Sequence, residues 1–119
     1  MSENKQEQLL PVGSVVYLKG GTLKVVIISR GELVKKTIAD EKPIYYDYFA
    51  GLYPQGYDNE RNYYFNQENI EKVIFKGYQD EEEKRYLEVL SSARENNKES
   101  YEVETPSHVI FSLENEDDE

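Results

Sequence analysis

Ser14-Val-Val-Tyr-Leu-Lys-Gly-Gly-Thr-Leu-Lys-Val-Val-Ile-Ile-Ser-Arg30 decides the fold class. Val16 and Leu18 alternate with Val15 and Tyr17, which is the period of two that marks a strand, and both faces have something to bury. Gly20-Gly21 offers two residues free to take positive φ, as the central positions of a tight hairpin require. The return segment Leu23–Arg30 is β-branched through Val25-Val-Ile-Ile28 and apolar on both faces. It reads as a central strand, with Val26 and Ile28 as expected core positions. An antiparallel hairpin is therefore the seed of the fold.

Outward from the hairpin, strands alternate with breakers. Pro11 and Gly13 punctuate the entry to Ser14–Lys19, and residues 1–9 read as a disordered lead. Gly31 is expected to break the return strand, leaving Glu32–Thr37 as a short strand of its own. Pro43 biases Lys42 toward extended backbone and introduces the strand Ile44–Ala50. A loop over Gly51–Arg61 precedes a short strand, Asn62–Phe65. Asn66 then caps a single helical turn reaching Ile70. Lys72–Lys76 reads as a further strand, Val73 and Phe75 inward and Ile74 outward.

Asp80 signals the start of the one sustained helix. Glu83, three residues later, completes a capping box, and Glu81 and Glu82 suit the positive end of the helix dipole. Tyr86, Val89, Leu90 and Ala93 recur at helical spacing and form the stripe expected to pack on the sheet, with Asn96-Asn97 closing the helix. Lys98–Pro106 is polar linker, His108–Leu113 is apolar enough to add an edge strand, and Glu114–Glu119 is an acidic tail read as disordered. The expected architecture is α+β. A small, bent antiparallel sheet of about five strands carries one packed C-terminal helix. It occupies a single domain over residues 10–97, with linker and tail over 98–119.

Composition narrows the function. The 119 residues carry 24 acids against 14 Lys and Arg, a net charge of −10. Nucleic acid and anionic membrane surfaces both demand clustered cations, so neither is expected as a partner. The chain has no cysteine, which rules out disulfides and thiolate metal sites. Its N-terminal residues Met1–Gln8 are polar, unlike a signal peptide, and the longest apolar run, Val25–Ile28, is far short of a membrane span. A cytoplasmic protein is expected.

No catalytic set assembles from the residue types. The single histidine, His108, has no acid or hydroxyl placed beside it by a motif, so it reads as structural or solvent-facing. The carboxylates of Asp80-Glu-Glu-Glu83 are explained by the helix start without a metal ion. No enzyme, cofactor or metal is expected. What stands out is tyrosine: eleven residues with no tryptophan, seven of them between Tyr45 and Tyr64. Strand alternation cannot bury Tyr45, Tyr46, Tyr63 and Tyr64 on one side only, so some are expected at the surface. Exposed tyrosine gives large contact area at little entropic cost, as protein interfaces use it. The expected partner contacts are Tyr46, Asp47, Tyr48, Tyr53 and Tyr64. Asp47, an acid within a strand of aromatics, reads either as a buried hydrogen-bond acceptor or as a specificity contact.

Taken in order, Leu10 to Gly21, Arg30, Tyr46-Asp-Tyr48, Tyr53-Pro-Gln-Gly56 and Phe65 to Asp80 resemble the domain-of-unknown-function family 4176, over roughly Leu10–Leu90. That resemblance implies a Gram-positive cytoplasmic protein encoded beside polymorphic toxins (LXG class) of the type VIIb secretion system. It also implies a toxin-specific chaperone or targeting factor, non-enzymatic, with the secreted toxin as partner. The alternative is an acidic immunity protein that inhibits a cognate basic toxin, for which the charge is also suited.

Overall fold

The hairpin forms as read. The computed structural model describes residues 8–20, 22–35, 42–103 and 110–112. Strand β1 (Val15–Leu18) pairs antiparallel with β2 (Lys24–Val34), in the register Val15 opposite Val26 and Tyr17 opposite Lys24. Strands β3 (Ile44–Leu52), β4 (Asn62–Phe65), β5 (Ile70–Phe75), β6 (Glu102–Val103) and β7 (Ile110–Ser112) follow, with helix α1 (Glu81–Asn96) between β5 and β6. Among the described residues the sheet runs β5-β1-β2-β3-β4-β7. Every pairing along that path is antiparallel, while β6 adds to β3 in parallel. The fold is α+β.

The core lies where β1, β2, β3 and β4 overlap. Val16, Leu18, Val25, Ile27, Tyr48, Ala50 and Phe65 form one buried cluster, on which Leu9, Leu10 and Ile70 pack. Leu9 therefore belongs to the folded body, not to a free lead. On β2 the fully buried positions are Val25 and Ile27; Val26 and Ile28 are half-buried. The alternation is real, but its core phase is opposite to that expected, because Val25 and Ile27 line up over Tyr48 and Ala50. The strand covered on both faces is instead β3, where Tyr45, Tyr46, Asp47 and Tyr48 are all buried.

Gly31 does not end β2. The strand runs through it to Val34, absorbing Glu32 and Leu33 into the ladder against β3. Gly31 takes φ +73°, and a Cβ there would stand 2.6 Å from Leu90 Cδ1. Glycine thus lets the strand bend while the helix passes directly over its backbone.

Strand β5 departs from the expectation of inward Val73 and Phe75. All three of Val73, Ile74 and Phe75 are exposed, because β5 is the outer strand of the sheet beyond β1. The expected edge strand near the C-terminus is present as Ile110–Ser112 beside β4. The stretch after Asn97, expected to be linker, docks instead: Lys98–Ser100 forms a 3₁₀ turn, Tyr101 is buried, and Glu102–Val103 pairs with β3. His108 and the acidic tail lie outside the described residues.

Candidate partner-binding site

Asp47 is fixed by the turn that follows β4. Asn66 precedes the 3₁₀ turn Gln67–Asn69, and its backbone N–H donates to Asn69 Oδ1 at 2.8 Å. Asn66 Oδ1 in turn accepts the Asp47 backbone N–H at 2.9 Å, and Asp47 Oδ2 accepts the Gln67 N–H at 2.9 Å. The adjacent Tyr48 hydroxyl accepts the Leu10 N–H at 2.8 Å and donates to Gln67 Oε1. Asp47 is therefore a buried acceptor for a backbone amide. Burial pushes its carboxyl above the ordinary value of 3.8, and the Gln67 N–H partly opposes that shift. The Tyr48 phenol is likewise pushed up, first by burial.

Helix α1 begins as the caps dictate, with Asp80 Oδ1 accepting the Glu83 N–H at 3.1 Å. The Glu83 carboxylate is bound elsewhere. It takes the Arg30 guanidinium two-pronged, at 2.7 Å and 2.8 Å, and Arg30 Nη1 also donates to the Leu10 carbonyl at 2.8 Å. The pair is buried, so it fixes the rotation of the helix. Leu87 and Leu90 then turn toward the sheet, while Tyr86, Val89 and Ala93 remain exposed. The expected stripe is thus rotated about the helix axis. One turn further, the Arg94 guanidinium lies 4.6 Å above the Tyr45 ring, and Tyr101 stacks tilted on Tyr45 at 5.2 Å while donating its hydroxyl to the Arg94 carbonyl.

Between these anchor points helix and sheet stand apart. They enclose an open cleft of about 1540 Å³, with Tyr45, Asp47 and Gln67 on one wall and Leu87, Leu90 and Arg94 on the other. Tyr45 is 4% exposed, and its hydroxyl oxygen is buried without a hydrogen-bond partner. Burial, then the charge of Asp47, pushes that phenol up to about 12.

The five residues expected to contact a partner are dispersed by the fold. Tyr46 and Tyr48 are buried, so neither offers area to a partner. The expectation that the paired tyrosines force exposure overlooked that β3 is covered on both faces. Asp47 lines the cleft. Tyr64 is half-buried between Tyr46 and Phe49, at ring separations of 5.8 Å and 5.0 Å. Tyr53 is exposed, with Lys24 Nζ 5.2 Å over its ring. Sequence reasoning missed Arg30, Glu83 and Arg94 as the residues that shape the site. An arginine beside a strand glycine and a capping-box glutamate were the only hints.

A second exposed feature is the β5 edge. Phe75 is 59% exposed and Tyr78 80%, with Val12 exposed nearby where Gly77 approaches the Val12 carbonyl. Among the described residues no group of three or more His, Cys, Asp or Glu is placed to hold a metal ion. No helix among them is long and apolar enough to cross a membrane.

The family described as Domain of unknown function (DUF4176) matches residues 9–86, and the chain belongs to it. No curated protein and no solved structure matches the chain.

Proposed function

We propose that this chain is a non-enzymatic, cytoplasmic protein-binding module that holds a secreted polymorphic toxin for type VII export, as a toxin-specific chaperone or targeting factor. The observation that carries the binding reading is the apolar edge formed by Val73, Ile74, Phe75 and Tyr78, all exposed. An outer strand with open backbone donors and acceptors and apolar side chains is costly to leave uncovered, and it is the form in which many proteins take up an extended segment of a partner. The toxin as partner follows from the resemblance of the Leu10–Leu90 fragments and is the finer part of the reading.

The test is co-expression with the toxin encoded next to it. A chaperone co-purifies with the toxin, is required for its export, and gives no protection to cells that carry the active toxin. The charge of −10 favours one rival, an immunity protein against a basic toxin. Protection from toxicity without any effect on export would establish that rival and overturn the chaperone reading.

A further inference from the structure

The chain has a net charge of −10, yet one corner of its sheet is basic. Residues 11–28, which hold β1 and the start of β2, contain Lys19 and Lys24 and no acid. Residues 70–79, which hold β5, contain Lys72 and Lys76 against Glu71 alone. Strand register gathers these charges. Tyr17 stands opposite Lys24 on one side and Lys72 on the other, so the three side chains share one face of three adjacent strands. Among the described residues no acid forms an ion pair with any of the four lysines.

Rings hold Lys24 instead. Its Nζ lies 5.8 Å from the centre of the Tyr17 ring and 5.2 Å from that of Tyr53. Aromatic faces orient an ammonium through their quadrupoles but bring no net charge, so Lys24 keeps its whole charge for an anion. It has also given up part of the side-chain freedom that binding would otherwise cost. Beside this row stands the apolar edge: Phe75, opposite Val15 in the same ladder, is exposed, and so is Ile74. Positive charge and uncovered apolar area lie side by side.

A second copy of the chain does not suit this surface. Antiparallel self-pairing of β5 that sets Ile74 against Ile74 would place Lys72 opposite Lys76 at both ends, between two bodies of charge −10. A nucleic acid or an anionic membrane would extend past the patch over the acid-rich rest of the chain, and the four basic residues include no arginine for two-pronged phosphate binding. The chain's own acids Glu114–Glu119 follow β7, which pairs with β4 at the end of the sheet away from β5. A short acidic segment with apolar residues meets both features of the surface.

We propose that the face of β5, β1 and β2 is a docking surface for a segment of the partner polypeptide that carries both carboxylates and apolar side chains. Lys72 and Lys24 receive carboxylates on either side of Tyr17, and the apolar side chains cover Phe75 and Ile74. The proposal rests on the reading of the chain as a protein-binding module and names the chemistry of the segment it holds.

The experiment is an NMR titration of the full chain with the capped peptide Glu-Val-Glu-Phe-Glu, with the glutamine and lysine counterparts and oligothymidine as controls. The glutamate peptide is expected to shift the amide resonances of Tyr17, Lys24 and Lys72 saturably, more weakly as salt is added, and the controls not. Lys24→Gln and Lys72→Gln are each expected to weaken that binding about threefold, the scale of an exposed ion pair, while Lys84→Gln on α1 leaves it unchanged. Lys72 is exposed on the outer strand, so its variant tests the surface even if Lys24→Gln disturbs the fold. The proposal is overturned if the glutamine peptide acts like the glutamate one, if the lysine peptide or oligothymidine binds better at the same residues, or if Lys72→Gln binds as the parent does. Deleting Glu114–Glu119 is expected to leave the affinity unchanged; a tenfold or so tightening would make the chain's own acids the occupant and overturn it too. Peptide binding by a chain that fails to hold the toxin upholds the surface and sinks only the toxin reading; toxin binding with no peptide response does the reverse.

Discussion

Strand β3 and helix α1 face each other across the cleft, and they are held by opposite means. Four consecutive side chains of β3, Tyr45 to Tyr48, are buried, and the strand is paired to β2 from Ile44 to Leu52 and to β4 from Tyr48 to Gly51. Helix α1 has 16 residues, of which only Leu87 is buried. What ties it down is directional: the Arg30–Glu83 pair, the Arg94 guanidinium on Tyr45, and Leu90 against the bare backbone of Gly31. Apolar packing has no preferred distance gap, so it closes up and leaves no room. An element held at separate points by polar contacts need not close, and here it leaves a cleft. The same contrast locates stability in the sheet and the candidate site at the loosely covered boundary.

The sharpest way to break the comparison is to cut into the sheet. Phe65 is fully buried and stacks on Tyr48 at a ring separation of 5.3 Å. Phe65→Ala is expected to lower the unfolding free energy by about 3–5 kcal/mol, measured by urea denaturation. A cost below about 1 kcal/mol, typical of an exposed site, would show that β4 does not close the core.

Next in size is the helix anchor. Arg30→Met leaves the Glu83 carboxylate and the Leu10 carbonyl without their donor, in a place where both partner side chains are almost fully covered. The expected loss is about 3 kcal/mol, the lower end of the range for breaking a buried pair. Adding Glu83→Met should restore most of it, because two apolar side chains avoid the desolvation that one orphaned charge suffers. If the double variant loses as much as the two single losses summed, the pair does not couple and the helix is held in some other way.

The difference between the regions is also a difference in what sequence reveals. Period-two patterning located β1, β2, β3 and β4, because strand pairing of neighbours follows from local alternation and turns. It erred where a neighbour distant in the chain decides: the inward phase of β2 depends on Tyr48 and Ala50, and the exposure of β5 on its place at the sheet edge. Gly31 read as a breaker since glycine usually is one, yet here it serves Leu90, a contact no local pattern records. The helix itself was legible from its cap, but its facing side was not. That side is set by an ion pair between residues 53 apart, and an apolar stripe cannot announce a charged anchor. For the same reason Asp47 stood out in the sequence, while Tyr45 and Arg94, which make the cleft around it, did not.

Asp47 lies at the seam between the two regions, and its titration gives the smallest and most discriminating effect. Opposed causes compete there: burial, the largest, and the Glu68 charge raise its pKa above 3.8, while the Gln67 N–H and the Arg94 charge lower it. A raised pKa means that the folded state holds the proton more tightly than the unfolded one. Below the unfolded value both states are protonated and the charge imposes no penalty. As the pH rises from there through the folded pKa, the unfolded chain ionises first, and stability is lost. Asp47→Asn keeps an oxygen for the Gln67 N–H but cannot ionise, so it should escape that loss. The expected result is that the variant gains on the parent as the pH rises above the ordinary value of 3.8 in urea denaturation, with the gain flat once the folded group has ionised. A gap that stays constant over that range would show that the Gln67 amide and the Arg94 charge offset burial, and one that opens in favour of the parent that they outweigh it. Asp47 would then belong energetically with the well-satisfied sheet and not with the under-covered boundary beneath α1.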